Sequence, residues 1–254
     1  MRPLNKGTSP VDQAGTPIAV SDYDRWRKLL IERIGYYCCY CNIPLSHNLQ
    51  VEHVVPKNPP PGYAVGDPLA WDNMLLACGP CNRTKWNQPV DFNDYYFPEK
   101  NNTLIPFEII FHPVDPSAAI VNHSEDLQLH QQSKARSTID LMGLNVIDQR
   151  ADIVDIRYMR RRDAILMVDA AYGLFQDFKH NNPGNLGQAA ERVAILAKGV
   201  GFFTLWFDKF EQEPVVISAL INPAIIPGTA QDCFDTTQNY QLIPRNPGNP
   251  VDPI

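Results

Sequence analysis

At 254 residues, 44% hydrophobic and 20% charged, the chain has the composition of a soluble globular protein of one large or two small domains with a sizeable core. Its net charge of −6 argues against a free-standing nucleic-acid binder, although the ten basic and ten acidic residues of 1–100 cancel and the whole excess falls in 101–254, with twelve basic against eighteen acidic. Residues 1–10 are polar, with no secretory h-region, and the longest apolar run, 164–175, is broken by Asp169 and too short to span a bilayer, so a cytoplasmic location is expected and no membrane partner.

In chain order, residues 1–20 read as an irregular leader. Ser21 is a plausible N-cap for a first helix, with Trp26, Leu29, Leu30, Arg33 and Ile34 at helical spacing and Gly35 at its end. Residues 36–41 form a knuckle. The alternating, valine-rich 48–55 reads as a strand, 56–67 as a proline-rich loop, and 71–77 as a second short strand or turn. A helix begins at Pro80 or Cys81 and stops before Pro89. Beyond it, 105–111 is a strand candidate, and 126–142, 148–178 and 185–210 are helical, the last interrupted near Gly199 and Gly201. Residues 215–221 fit either helix or strand, and the last thirty or so are mostly loop.

Two Cys-x-x-Cys pairs, Cys38/Cys41 and Cys78/Cys81, stand thirty-six residues apart. Each such turn aims two thiolates at one tetrahedral ion, and two turns complete a structural zinc site with no open coordination position. Cys39 and Cys233 are left without a role. Tight pairs of this kind suit a metal rather than a disulfide framework.

Between the pairs stands Glu52-His53-Val54-Val55-Pro56, then Asn73, and directly after the second pair Asn82-Arg83-Thr84-Lys85. An imidazole titrating near neutral pH suits a general base, and carboxylate and amide oxygens suit a hard divalent ion. Acidic-His-apolar-apolar-Pro, then Asn, then Cys-x-x-Cys-Asn-x-x-Lys resembles the HNH endonucleases over roughly residues 35–90. Glu52 departs from the commoner Asp, and Asn82 stands where the last name-giving His often stands. The resemblance implies an α+β fold, with a ββα-metal core stapled by the four-cysteine zinc knuckle. It assigns 1–34 to a leader and helix, 35–95 to the nuclease core and 96–254 to a mainly α-helical C-terminal region. It also implies His53 as general base, Asn73 as the residue orienting loop and base, and Glu52 and Asn82 as ligands of magnesium or manganese. Lys85 and, more weakly, Arg83 would contact phosphates of a DNA or RNA substrate, DNA being favoured. Adjacent Glu52 and His53 should point to opposite faces of their strand, so a bend or an edge site is needed to use both.

Residues 1–7, 138–145 and 227–229 with 233–235 resemble a bacterial HNH subfamily that includes nuclease subunits of Septu-type and retron-associated anti-phage systems, which implies an ATPase partner subunit. The arginines at 157 and 160–162 read as a solvated helix face pairing with Asp152, Asp155 and Asp163, with nucleic-acid contact or partner docking as alternatives. The competing reading of the whole is a non-catalytic zinc-ribbon adaptor for nucleic acid or protein. Such an adaptor needs a basic, aromatic face rather than an acidic-His pair matched by asparagines.

Overall fold

Asp22, not Ser21, starts the first helical segment: its carboxylate accepts from Asp24 N at 2.9 Å, opening a 3-10 turn (Tyr23–Trp26) that runs into α1 (Arg27–Ile34). The computed structural model describes residues 1–146 and 155–254. Gly35 ends α1 with φ of +78°, a conformation open to glycine. After the first Cys-x-x-Cys turn, β1 (Gln50–His53) pairs antiparallel with β2 (Met74–Ala77), Glu52 facing Leu75 and His53 facing Met74. A short 3-10 turn (Trp71–Asn73) leads into β2. The second Cys-x-x-Cys turn then begins α2 (Gly79–Lys85), which has Pro80 in its first turn, where a missing N–H costs nothing.

A second hairpin follows: β3 (Phe107–Phe111), as expected, with β4 (Ala119–His123), which the sequence reading missed. Then come α3 (Leu129–Leu141), α4 (Arg157–Asn181), α5 (Leu186–Val200), α6 (Phe203–Phe210) and α7 (Pro214–Leu220), closed by the small pair β5 (Phe234–Asp235) and β6 (Gln241–Leu242). The expected helix over 148–178 thus begins at Arg157, and its first part falls outside the described residues. The expected break near Gly201 is real. Gly201 sits at φ +76°, and a Cβ there would lie 2.6 Å from Asn42 O, so the turn between α5 and α6 rests on the first knuckle. Phe202 N and Phe203 N donate to Asn42 O and Oδ1 at 3.0 and 2.8 Å, fixing that contact. The unresolved choice at 215–221 is settled as helix.

The apolar faces meet in one continuous core that includes Leu4, Leu30, Leu76, Tyr96, Phe107, Ile139, Val168, Trp206 and Phe234. It therefore runs through 1–34, 35–95 and 96–254 alike. Residues 1–6 are irregular, as expected, but packed rather than loose. Arg2 is buried and donates to Ile34 O at 2.6 Å, Pro227 O at 2.9 Å and Thr229 Oγ1 at 3.1 Å, while Leu4 bridges Thr229. Two of the subfamily-like motifs, 1–7 and 227–229, so meet as packing partners. None of the described helices is long and apolar enough to cross a membrane.

Candidate functional site

The two Cys-x-x-Cys turns converge. The Sγ atoms of Cys38, Cys41, Cys78 and Cys81 all lie within 4.8 Å of one another, and all four residues are buried. Cys41 Sγ and Cys78 Sγ are 3.7 Å apart, close to the edge of about 3.8 Å expected for four sulfurs about 2.3 Å from one zinc ion. The donor set fits a structural zinc and leaves no place for a substrate on the metal. Arg157 completes the surroundings. Its Nη1 donates to Cys81 Sγ at 3.1 Å and its Nη2 to Gly143 O at 2.7 Å, while Asp155 pairs with its guanidinium. The guanidinium offsets the negative charge of a four-thiolate zinc site. Cys39 takes no part. Its N–H donates to Leu76 O, and burial pushes its thiol well above the usual range. Cys233 is also buried, its thiol pushed up to about 12 by that burial.

Strand alternation sends Glu52 and His53 to opposite faces. Glu52, with Gln50, faces α2. There Asn82 Nδ2 donates to Gln50 Oε1 at 2.7 Å, and Lys85, one turn on, sets its ammonium against Glu52 Oε1. Tyr40 donates its hydroxyl to Glu52 Oε2. Burial and that carboxylate raise the tyrosine well above the usual range. Glu52 is 2% exposed and Lys85 0%. One expectation is corrected here. Lys85 does not reach outward to a phosphate; it bonds inward to Glu52 and to His53 O at 2.7 Å. Glu52 is closed in by Lys85 and Tyr40 in this structure, so an ion on its carboxylate would require Lys85 to move. Asn82, half-buried, does border the cavity beyond, and its Oδ1 carries no hydrogen bond among the described residues.

His53 lies on the other side, edge-on to Tyr23 with ring centroids 4.7 Å apart. Its Nε2 is 3.1 Å from Pro68 O. A carbonyl can only accept, so Nε2 carries the proton and the Nδ1 lone pair is left free. Burial lowers the imidazole below its usual 6.5, which favours the neutral form. Among the described residues, the Asn73 side chain makes no hydrogen bond to His53. Its Nδ2 donates to Val55 O at 2.9 Å and Asp67 O at 3.0 Å, and its Oδ1 accepts from Val55 N at 2.8 Å. The two ends of the 56–67 loop are thereby pinned together, and Pro68 follows directly on the pinned Asp67. Gly66 is required by the same closure, because a Cβ there would lie 2.0 Å from Val55 O.

A cavity of about 490 Å³ joins these parts. It is bordered by His53, Glu52, Gln50 and Asn82, and by Tyr23, Lys57, Arg83 and Trp86 among others. Arg83 is exposed on its rim. Lys57 crosses over the Tyr23 ring at 4.5 Å. Tyr23, Lys57, Gln50, Tyr40, Pro68 and Trp86 were not singled out from the sequence. Gln50 could have been, since strand period places it beside Glu52. Trp86 could have been too, because it occupies the position after a helix where glycine is usual. Its φ is +45°, the residue is 72% exposed, and a bulky residue held there costs on the order of 1–3 kcal/mol.

The arginine cluster divides. Arg157 and Arg161 are buried, not solvated; Arg161 donates to Ala119 O and Leu144 O, both at 2.8 Å, tying α4 to β4 and to the end of α3. Only Arg160 and Arg162 lie outside the core, the latter paired with Asp163. Asp152 lies outside the described residues.

No curated protein and no solved structure matches the chain. The segment that carries both cysteine turns, the Glu52-His53 strand, Asn73 and α2, residues 38–88, matches the family model of the HNH endonucleases.

Proposed function

We propose that the chain is an endonuclease that hydrolyses phosphodiester bonds of nucleic acid in the cavity bordered by His53 and Asn82. The observation that carries this reading is the contact of His53 Nε2 with Pro68 O. With Nε2 held by Pro68 O, Nδ1 is free to take a proton from water as its oxygen attacks phosphorus. The P–O3′ bond then breaks and the departing oxygen is protonated, giving 5′-phosphate and 3′-hydroxyl ends. Asn73 acts as a positioning residue through Asp67 and Pro68, and Arg83 offers a phosphate contact. The order β1, β2, α2 behind the four-cysteine cluster supports reading 35–95 as a zinc-stapled ββα-metal core.

Dependence on magnesium or manganese remains part of the proposal, with Asn82 as a candidate ligand. Glu52 would join it as a second ligand once Lys85 yields its carboxylate. An anti-phage setting with an ATPase partner rests on the sequence motifs at 1–7, 138–145 and 227–229 with 233–235. Recovery of an ATPase with the chain from its native cells tests that part, and a chain that is active alone counts against it.

The decisive experiment offers plasmid DNA, single-stranded DNA and RNA, with magnesium or manganese, to wild type and His53→Ala. Metal-dependent cleavage that the substitution abolishes is expected. Equal cleavage by both proteins removes His53 from the chemistry.

A further inference from the structure

Trp86 has no evident structural reason to be where it is. It follows the last residue of α2 and donates its N–H to Asn82 O at 2.8 Å, as a residue closing a helix should. Its positive φ, however, suits glycine, and its indole, instead of joining the core, stands in solvent on the rim of the His53 cavity. The other tryptophans, Trp26, Trp71 and Trp206, are all buried. A backbone that tolerates strain in order to present an exposed aromatic ring beside a candidate site calls for a partner with a flat apolar face.

The surroundings narrow the choice of partner. Arg83 and Lys57, both exposed on the same rim, supply positive charge, and Tyr23 supplies a second ring, half-buried against His53. An aromatic face flanked by cations matches a nucleotide, whose base stacks while its phosphate meets a guanidinium or ammonium. The base must be unpaired, because a base inside a duplex already has both faces covered by its neighbours and offers none to the indole.

We infer that Trp86 is a stacking platform for an unpaired nucleobase next to the scissile phosphate, so that the site takes single-stranded nucleic acid or an unpaired nucleotide in preference to intact duplex. This rests on the proposed nuclease reading for its location, but its test does not require cleavage. DNA and RNA present the same stacking face, and the experiment separates them.

Because three tryptophans are buried, emission changes on adding a ligand report mainly Trp86. Full-length protein is titrated, without added divalent ion, with oligo(dT), oligo(U) and a matched duplex, each about ten nucleotides long. Quenching of emission by either single strand, with little or none by duplex, is expected, and the tighter of the two identifies the sugar preferred. Trp86→Gly removes the ring and relieves the backbone, so misfolding cannot account for its effect. It should keep or raise the thermal midpoint and weaken single-strand affinity, followed by anisotropy of a labelled strand, about tenfold or more. Trp86→Phe, which keeps a smaller ring, should fall between. Quenching by duplex alone, or equal single-strand affinity of Trp86→Gly and wild type, overturns the inference. Single-strand binding through Trp86 by a protein that does not cleave even together with the partners recovered from its native cells would instead sink the nuclease reading and leave this one standing.

Discussion

Lys85 and Glu52, more than thirty residues apart in the chain, form an ion pair sealed between α2 and β1. Taking both charges out of water is costly, and breaking such a pair by removing one partner strands the other, a loss of about 3–5 kcal/mol. Glu52→Gln or Lys85→Met alone should therefore destabilise strongly, and the double substitution should recover much of the loss. Denaturant unfolding of the four proteins, compared as a double-mutant cycle, measures this. A cycle with no coupling would mean that the two side chains do not meet in solution. A magnesium- or manganese-dependent rise in thermal midpoint, present in wild type and absent in Glu52→Gln, would show that Lys85 yields the carboxylate to an ion.

His53 makes a separate prediction for pH. A general base works in its neutral form, and burial lowers this imidazole below the usual 6.5. Activity should hold through pH 6.5 and fall only at more acidic values, as Nδ1 becomes protonated. The acid limb of the kcat/KM profile for wild type reads this directly. A limb centred at or above pH 7 would contradict the assigned environment of the ring.

Much of this site was legible from local pattern. Two Cys-x-x-Cys turns predict their own convergence, since each fixes its two sulfurs within four residues. Strand period alone separates Glu52 from His53. What period cannot give is depth. Lys85 stands one helical turn from Asn82, as expected, but whether that face looks at solvent or at β1 depends on how α2 docks, and nothing within the helix records it. The same holds for Arg157 and Arg161. Local spacing pairs Arg157 with Asp155, as the structure does, but it cannot give the further acceptors Cys81 Sγ and Gly143 O, nor Ala119 O and Leu144 O for Arg161, all supplied by other elements. β4 was missed because its five residues form a strand by pairing with β3, not by any strong pattern of their own.

Asn73 tests the link from loop to base. Asn73→Ala removes three hydrogen bonds that pin Val55 and Asp67. Activity should drop by about tenfold or more, with the loss in kcat rather than KM, because the substituted group positions the base and does not touch substrate. Gly66→Ala, whose new methyl would collide with Val55 O, should reproduce the defect by displacing the same loop. Both proteins should retain zinc. A rise in KM with unchanged kcat would place Asn73 in substrate binding instead.

The zinc site predicts which cysteines and which neighbour matter. Metal analysis of unchelated protein should find about one zinc per chain, and chelation should unfold the region that the four thiols hold together. Cys81→Ser should lose the metal. Cys39→Ser, adjacent in sequence to a ligand but outside the sulfur cluster, should keep it, as should Cys233→Ser. Arg157 is the stricter test, because it ligates nothing. Its guanidinium touches Cys81 Sγ and, through Gly143 O, joins the end of α3 to the knuckle. Arg157→Ala should therefore bind zinc but surrender it more readily, with affinity reduced about 10–100-fold in competition with a chelator. Undiminished affinity would reduce Arg157 to a packing residue and leave the charge of the four thiolates to be balanced by the metal alone.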